Sequence, residues 1–401
     1  MATMRTVEEH ARVIAALLGP TPAALIPLAA ADGLVLADDL VANIDLPPFA
    51  NSAMDGYAVR SVDVANLPVT LPVSQDIPAG RTDTAPLAAG TAARIMTGAP
   101  LPDGADVIVQ VERTDGGAER VRIDSAPAAG VHVRTRGEDV TSGSVVLRAG
   151  TVIGPQQIGV AAALGFAELS LRRPLRVLVL STGSELVEPG KPLGPGQIYE
   201  SNAPMLAAGM SAIGAHVTVE HFVADDVDAL RAVLAQAAAE HDLVVTSGGV
   251  SAGAYEVVKD ALTGHGIEFA KVAMQPGMPQ GAGRYAVGDR SVPIVTLPGN
   301  PVSSYVSFEV FLRPAIRAAM GHPDITRPTI TAPLTTALTS PVGKRQFRRG
   351  HVDTVAGTVA PWGGPGSHLL AWLAGADCMF VVPEDVDHLD AGDEVEVWLL
   401  S

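Results

Sequence analysis

The feature that most constrains this chain is a repeated switch between a strand period and a helix period across residues 172–321. An apolar run at 176–180 leads into a helical pattern opened by Asn202 and Pro204 and closed at Gly214. The alternation recurs as a strand at 217–223, a helix at 227–239, strands at 243–246, 269–274 and 293–297, and a long helix after Pro301. Parallel strands need long crossovers, and crossover helices cover both sheet faces, so this pattern predicts a doubly wound α/β domain over residues 172–322.

The flanks have other periods. Thr6 and Glu9 have the spacing of a capping box, Val13, Leu17 and Leu18 follow at helical intervals, and Gly19-Pro20 is a stop, which predicts a first helix of about three turns. Residues 46–140 break into short apolar runs, including 107–113 and 120–123 around the turn Asp115-Gly116-Gly117, and read as an inserted β-rich domain. The segment 151–171 is apolar and helical. With the first helix as its packing partner, 1–45 and 141–171 form a discontinuous N-terminal domain around the insert. Residues 323–401 are rich in Thr, Val and Pro and end in the alternating Glu394-Val395-Glu396-Val397-Trp398, predicting a C-terminal β-barrel-like domain. The result is an α/β and β multidomain protein, as expected of 401 residues.

Charge narrows the partners. A formal net charge of −16 repels nucleic acid and anionic lipid at long range, so an anionic ligand has to be met locally. The densest basic run, Lys344-Arg345-Gln346-Phe347-Arg348-Arg349, is either such a site or a solvated strand end. No stretch approaches the roughly 18 to 20 apolar residues of a membrane helix. Glu8, Glu9 and His10 occupy the place of a secretory signal's apolar region, and the single cysteine, Cys378, excludes an intramolecular disulfide, so a cytoplasmic location is expected.

In a parallel sheet the ligand crevice lies beyond the carboxyl ends of the strands. Four polar loops follow strands here: Ser181-Thr182-Gly183-Ser184-Glu185, Asp225-Asp226, Thr246-Ser247-Gly248-Gly249-Val250-Ser251, and Leu297-Pro298-Gly299-Asn300-Pro301-Val302-Ser303-Ser304. Gly248 and Gly249 let the backbone turn its amides toward an oxyanion, and Pro301 at a helix start leaves the amides of Val302 to Ser304 pointing outward. Each loop alone is ordinary turn chemistry; their joint placement points to phosphate or a tetrahedral oxyanion. Glu185, Asp225, Asp226 and Glu256 could neutralise a Mg²⁺ on phosphate oxygens, although Asp225 or Asp226 equally suits the N-cap of the next helix.

At these residues the chain resembles the MoeA-type molybdenumtransferases and the matching domain of gephyrin. The resemblance runs end to end, through Asn51-Ser52-Ala53-Met54-Asp55-Gly56-Tyr57-Ala58, Arg94-Ile95-Met96-Thr97-Gly98-Ala99-Pro100, Arg136-Gly137-Glu138-Asp139, the three Ser/Gly/Pro loops above, and Gly366-Ser367-His368. It implies a four-domain subunit in an elongated homodimer that removes AMP from adenylated molybdopterin while inserting molybdate, assisted by Mg²⁺ and supplied by a molybdopterin adenylyltransferase. It further implies catalytic roles for Asp55, Thr97, Glu185, Glu256 and Lys271, with Asp55 and Thr97 reaching the partner's crevice. Substrate contacts fall to Arg134, Asp139, Thr182, Gly183, Asp226, Ser247, Gly248, Gly249, Ser251, Pro298, Asn300 and Pro301. Molybdate falls to Ser303, Arg348, Arg349 and Ser367, and Mg²⁺ to Glu185, Asp226 and Glu256.

The chain departs from its relatives at Gln275 and Met278, where many have lysine, which leaves the anionic ligand fewer cations unless Lys344, Arg345 or Arg348 replaces them. A non-catalytic molybdopterin-binding carrier or scaffold is the alternative, and another hydrolase or adenylyltransferase on the α/β domain explains one domain only.

Overall fold

The Thr6 hydroxyl accepts the Glu9 amide at 3.1 Å while the Glu9 carboxylate accepts the Thr6 amide at 2.8 Å, so the capping box forms as the spacing predicts and starts helix Val7–Leu17. In this computed structural model, which describes residues 4–81, 83–222, 227–248 and 257–400, the chain divides into two compact units. The first comprises Met1–Ala24, Gly33–Ala37 and Ser170–Ser401, and the second Leu25–Asp32 and Asp38–Leu169.

The first unit is organised by a six-stranded sheet in the order His216–Phe222, Arg176–Thr182, Leu243–Ser247, Arg290–Leu297, Pro279–Val287, Ile267–Lys271. The first four strands are mutually parallel. Pro279–Val287 runs antiparallel to both its neighbours, so the sheet is mixed at one edge. The sequence pattern did not delimit that strand, because Gly281 and Gly283 interrupt its apolar period. Gly283 is required there: a Cβ would stand 2.0 Å from the Gly266 carbonyl oxygen across the ladder.

Alternating side chains serve both faces. Val177, Val179, Leu243 and Val245 join the core under helix Asn202–Ala212, and Leu178, Leu180 and Val244 join the one under helix Val227–Glu240. The helix after Pro301 comprises Pro301–Ser307, a π segment Phe308–Leu312 and Arg313–Ala319. Pro314 explains the π turn, since it lacks an amide hydrogen and its ring crowds the preceding turn.

The first helix belongs to the first unit, whereas helix Pro155–Ala163 falls in the second. Val7 and Ile14 are buried in the same core as Val177 and Phe311, within the first unit. The reason is its opposite ends: Arg5 forms a bridge with Val272, and Arg284 donates to the Leu17 carbonyl at 2.6 Å, fixing the helix on the sheet. The segment 151–171 is helical only at Pro155–Ala163 and extended at Glu168–Arg172, where Glu-Leu-Ser-Leu-Arg alternates.

Also in the first unit, a second six-stranded sheet runs Met274–Gln275, Arg345–Asp353, Cys378–Val382, Glu394–Leu399, Thr329–Pro333, with Thr358–Pro361 on Arg345–Asp353. A bridge from Leu334 to Val359 joins its far sides around a core of Phe380, Val395 and Val397, giving the barrel-like curl. Met274 and Gln275 pair in parallel with Arg345 and Gln346, so a loop of the α/β sheet supplies the barrel's edge.

The second unit carries a five-stranded sheet in the order Val107–Gln110, Gly56–Val59, Ala92–Ile95, Val69–Ile77, Arg120–Ile123. Gly56 allows a close approach of strands, because a Cβ would meet the Val109 carbonyl oxygen at 2.0 Å. No helix among the described residues is long and apolar enough to cross a membrane.

Candidate active site

Three strand ends are tied by one set of buried polar groups. Asn202 Nδ2 donates to Ser247 Oγ and to the Gly299 carbonyl, both at 2.7 Å. The Ser181 hydroxyl donates to the Glu200 carboxylate, which also accepts the Ala203 amide at 2.7 Å, and Ser304 Oγ donates to the Pro298 carbonyl at 2.5 Å. Gly248 turns at a φ of +94°, and a Cβ there would sit 3.1 Å from the Thr182 carbonyl oxygen, so the loops of Thr182, Gly248 and Gly299 meet only because glycine is present. Glu200 is not singled out in the sequence, and Asn202 is read there only as a helix start; the available signal is a carboxylate and an amide flanking Ser201 at the start of a helix that follows a strand end.

The outward amides expected after Pro301 are mostly engaged. Val302 donates to the Ser367 carbonyl at 3.0 Å and Ser304 to the Asn300 carbonyl at 3.0 Å. The first of these bonds has a different use, bringing Gly366-Ser367-His368 of the barrel against the helix start. Between them lies a cleft of about 480 Å³ lined by Gln275, Pro276, Pro298, Asn300, Ser303, Lys344, Ser367 and His368 with surrounding glycines, methionines and prolines. Among the described residues no carboxylate lines it, although the whole chain carries −16. Hydroxyls, amides and one ammonium around such a space suit an oxyanion.

Its shape depends on the turn Gly277. Gln280 is buried and its Nε2 donates to the Gly277 carbonyl and to Ser307 Oγ, each at 2.7 Å, while Gly277 adopts a φ of +105°. The preceding Gln275–Pro276 peptide is cis.

The basic run is divided among four uses. Lys344 lines the cleft. Arg345 holds Glu384 through Nε at 3.0 Å and Nη2 at 3.1 Å and also pairs with Glu8, so it joins the first helix to the barrel and adds no free charge to the cleft. Arg349, 6% exposed, donates to the carbonyls of Gly364 and Gly366, and its Nε has no partner among the described residues. Arg348 donates through Nη1 to Gln346 Oε1 at 2.9 Å. Burial pushes the guanidinium of Arg348 below its ordinary range, and Arg349 likewise, with Arg348 as a second cause. The space that both arginines line is only about 10 Å³, room for about one water, and neither lines the cleft; Arg348 also borders a separate groove of about 430 Å³ with Thr339 and His388.

Other expected site residues lie apart. Lys271 is exposed and lines a groove with Arg5, Glu9 and Arg12, away from Gln275 and Ser303. Glu185 is exposed beside Gly183. Asp225, Asp226, Gly249, Val250, Ser251 and Glu256 lie outside the described residues. Among the described residues no group of three or more His, Cys, Asp or Glu side chains could hold a metal ion.

In the second unit, Asp55 Oδ1 accepts the Thr97 amide at 2.7 Å and the Thr97 hydroxyl at 2.8 Å. The amide bond first, and the hydroxyl second, hold this exposed carboxyl below the usual carboxylate range, so it is an anion at neutral pH. The Met96-Thr97-Gly98-Ala99 turn is secured by the Gly98 amide on the Ser52 carbonyl at 2.8 Å and the Ser52 amide on the Ala99 carbonyl at 3.0 Å. Arg134 is exposed in Val133–Arg134, paired with Asn51–Ser52, and Asp139 is exposed with its amide on the Leu46 carbonyl at 3.0 Å.

Known proteins match this arrangement along its whole length. Residues 5–165 match the model of the MoeA N-terminal region (domain I and II), 178–318 that of a probable molybdopterin binding domain, and 331–400 that of the MoeA C-terminal region (domain IV). Molybdopterin molybdenumtransferase 2 of Mycobacterium tuberculosis (strain ATCC 25618 / H37Rv) is 54% identical over 99% of this chain and 100% of its own. The molybdopterin molybdenumtransferase of Haemophilus influenzae is 34% identical over 94% of each. The crystal structure of the molybdopterin biosynthesis moea protein from Pyrococcus horikosii superposes with a TM-score of 0.83 at 29% identity, covering 100% of both chains. With matches through every part of the fold, the chain belongs to the MoeA-type molybdopterin molybdenumtransferase family.

Proposed function

We propose that this chain inserts molybdate into adenylated molybdopterin and releases AMP, the last step of molybdenum cofactor synthesis. The observation that carries this reading is the cleft in which Ser303, Ser367 and Lys344 converge beside the glycine-bearing strand ends, with no carboxylate among its described lining residues. The relatives' molybdenumtransferase activity supports the chemistry, and the cleft offers room for a tetrahedral oxyanion in a chain otherwise strongly negative.

In this reading Ser303 and Ser367 donate hydroxyl hydrogen bonds to molybdate and Lys344 supplies the nearby charge. The adenylated pterin follows the loops of Thr182, Gly183, Ser247, Gly248, Pro298, Asn300 and Pro301, with Asp226, Gly249 and Ser251 completing its contacts. Arg348 and Arg349 act on the anion through the cleft wall. Asp55, kept ionised by Thr97, is available as a base or to orient water. The homodimer expected from the resemblance would present Asp55 and Thr97 of one subunit, with Arg134 and Asp139, to the other's substrate.

Mg²⁺ is proposed as cofactor, with Glu185, Asp226 and Glu256 as its carboxylates; it would screen phosphate charge. The described residues alone do not form its cage. A molybdopterin adenylyltransferase as donor of substrate, a cytoplasmic setting, and the four-domain division at residues 45/46, 140/141, 171/172 and 322/323 belong to the same reading.

The test is AMP release from adenylated molybdopterin by purified protein with Mg²⁺, with and without molybdate. Molybdate-dependent release, lowered by at least about a hundredfold in both Asp55→Ala and Glu256→Ala, is the expected result. Tight binding of the adenylated pterin with no release would replace the enzyme by a carrier.

A further inference from the structure

The strand register places Gln275 beside Gln346, and Arg348 lies two residues further along the same strand, so all three side chains share one face. Gln346 is 1% exposed and Arg348 donates to its Oε1 at 2.9 Å. A guanidinium has donors only, which decides the orientation of the Gln346 amide: oxygen toward Arg348, nitrogen toward Gln275. Gln346 Nε2 then donates to Gln275 Oε1 at 3.3 Å. Gln275 lines the cleft as well as the small space beside the arginines, and its Nε2 has no partner among the described residues.

We propose that Gln275 Nε2 is a neutral donor to the oxyanion bound in the cleft, and that Arg348 and Gln346 fix the direction of its amide from behind the wall. Gln275 is the contact and Gln346 a positioning residue. Chained hydrogen bonds polarise in one direction, so the positive charge of Arg348 strengthens the last N–H without entering the cleft. A glutamine can thereby serve an anion where a lysine would put a mobile, hydrated charge. The inference rests on the oxyanion reading above, but not on turnover.

Two variants separate orientation from packing. Gln275→Glu keeps an acceptor for Gln346 Nε2 while replacing the cleft-facing donor by a carboxylate oxygen. Gln346→Glu satisfies Arg348 with a carboxylate, leaves Gln275 in place, and turns the Gln275 amide so that its oxygen faces the cleft. Equilibrium binding of molybdate alone to the full-length protein is the readout, with the thermal midpoint as control. We expect molybdate affinity to fall about tenfold or more in both variants, since each loses a donor and places oxygen against oxygen. Gln346→Glu should do so with an unchanged or raised midpoint, and Gln346→Met, which leaves Gln275 free to rotate, should show a smaller loss. In AMP release, the same variants should raise the KM for molybdate and leave that for the adenylated pterin unchanged. Wild-type protein that fails to bind molybdate, or Gln346→Glu that binds it as wild type does, overturns the proposal. Absence of AMP release in a protein whose molybdate affinity responds as described would overturn the enzymatic reading alone.

Discussion

The two walls of the cleft satisfy their buried polar groups in opposite ways. On the α/β side, Ser181 bonds Glu200, and Asn202, Ser247 and Ser304 bond in a second chain that reaches the Gly299 and Pro298 carbonyls. On the barrel side, Arg348 and Arg349 are desolvated with neutral amides and carbonyls as partners, and neither has a carboxylate ion pair among the described residues. This set of neutral bonds and one buried acid fixes geometry, leaving Asn202 Oδ1 without a partner among the described residues. An uncompensated pair of guanidiniums stores favourable interaction for an anion that is not part of the protein.

Substitutions should therefore separate stability from binding. The largest effect on folding is expected on the α/β side: Asn202→Leu removes two bonds and leaves the Gly299 carbonyl without its partner, lowering stability by about 2–3 kcal/mol in urea unfolding. On the barrel side, Arg348→Met should change stability by no more than about 1 kcal/mol, because it also removes a desolvated charge. Its molybdate affinity should nevertheless fall about tenfold. If Arg348→Met unfolds the protein as readily as Asn202→Leu, the contrast between the walls is wrong.

His10 shows a third way to meet burial. It is 0% exposed, its ring meets Phe311 edge-on with centroids 4.9 Å apart, and Arg5 Nη1 lies 3.2 Å from its Nδ1. Burial, and then the charge of Arg5, push its pKa down to about 4, so this group sheds its proton where arginine cannot. Its unfolded form takes up a proton near the ordinary value of 6.5, and the folded form only near 4. Stability should accordingly fall as pH drops from about 6.5 toward 4 and level off below, with a shallower slope in His10→Phe. An unchanged slope in that variant would assign the acid sensitivity elsewhere, the half-buried His322 being a second histidine lowered to about 4.

The smallest expected change is at Asp55. Its carboxyl resonance should titrate below the ordinary range in wild type and move upward in Thr97→Val, which removes the hydroxyl bond but keeps the amide. No shift in that variant would leave the amide as the sole cause.

How much of this was legible in the sequence follows the same division. The four parallel strands and their helices were readable because both sheet faces impose uninterrupted apolar runs, and the capping box of Thr6 and Glu9 because it is local. Pro279–Val287 was not, since its glycines answer to neighbouring strands that no local period reveals. The loops of Thr182, Gly248 and Asn300 were found from their place after strands. The bonding roles of Glu200 and of Asn202, which reads only as a helix start, were missed because their partners lie 19 and 45 residues away. In the basic run, composition pointed to an anion, but only the fold separates Arg345, neutralised by Glu384 and Glu8, from Arg348 and Arg349. Likewise the loss of lysine at Gln275 reads as lost charge in sequence, whereas the register with Gln346 places a guanidinium behind it.

The most direct test of the central claim is anomalous diffraction at the molybdenum edge from crystals of the full-length protein grown with molybdate. A molybdenum peak in the cleft between Ser303, Ser367 and Gln275, within one hydrogen-bonded oxyanion of the Gln275 amide, is the predicted result. A peak against Lys271 and Arg12 in the first helix's groove, or a cleft that stays empty at saturating molybdate, would contradict it.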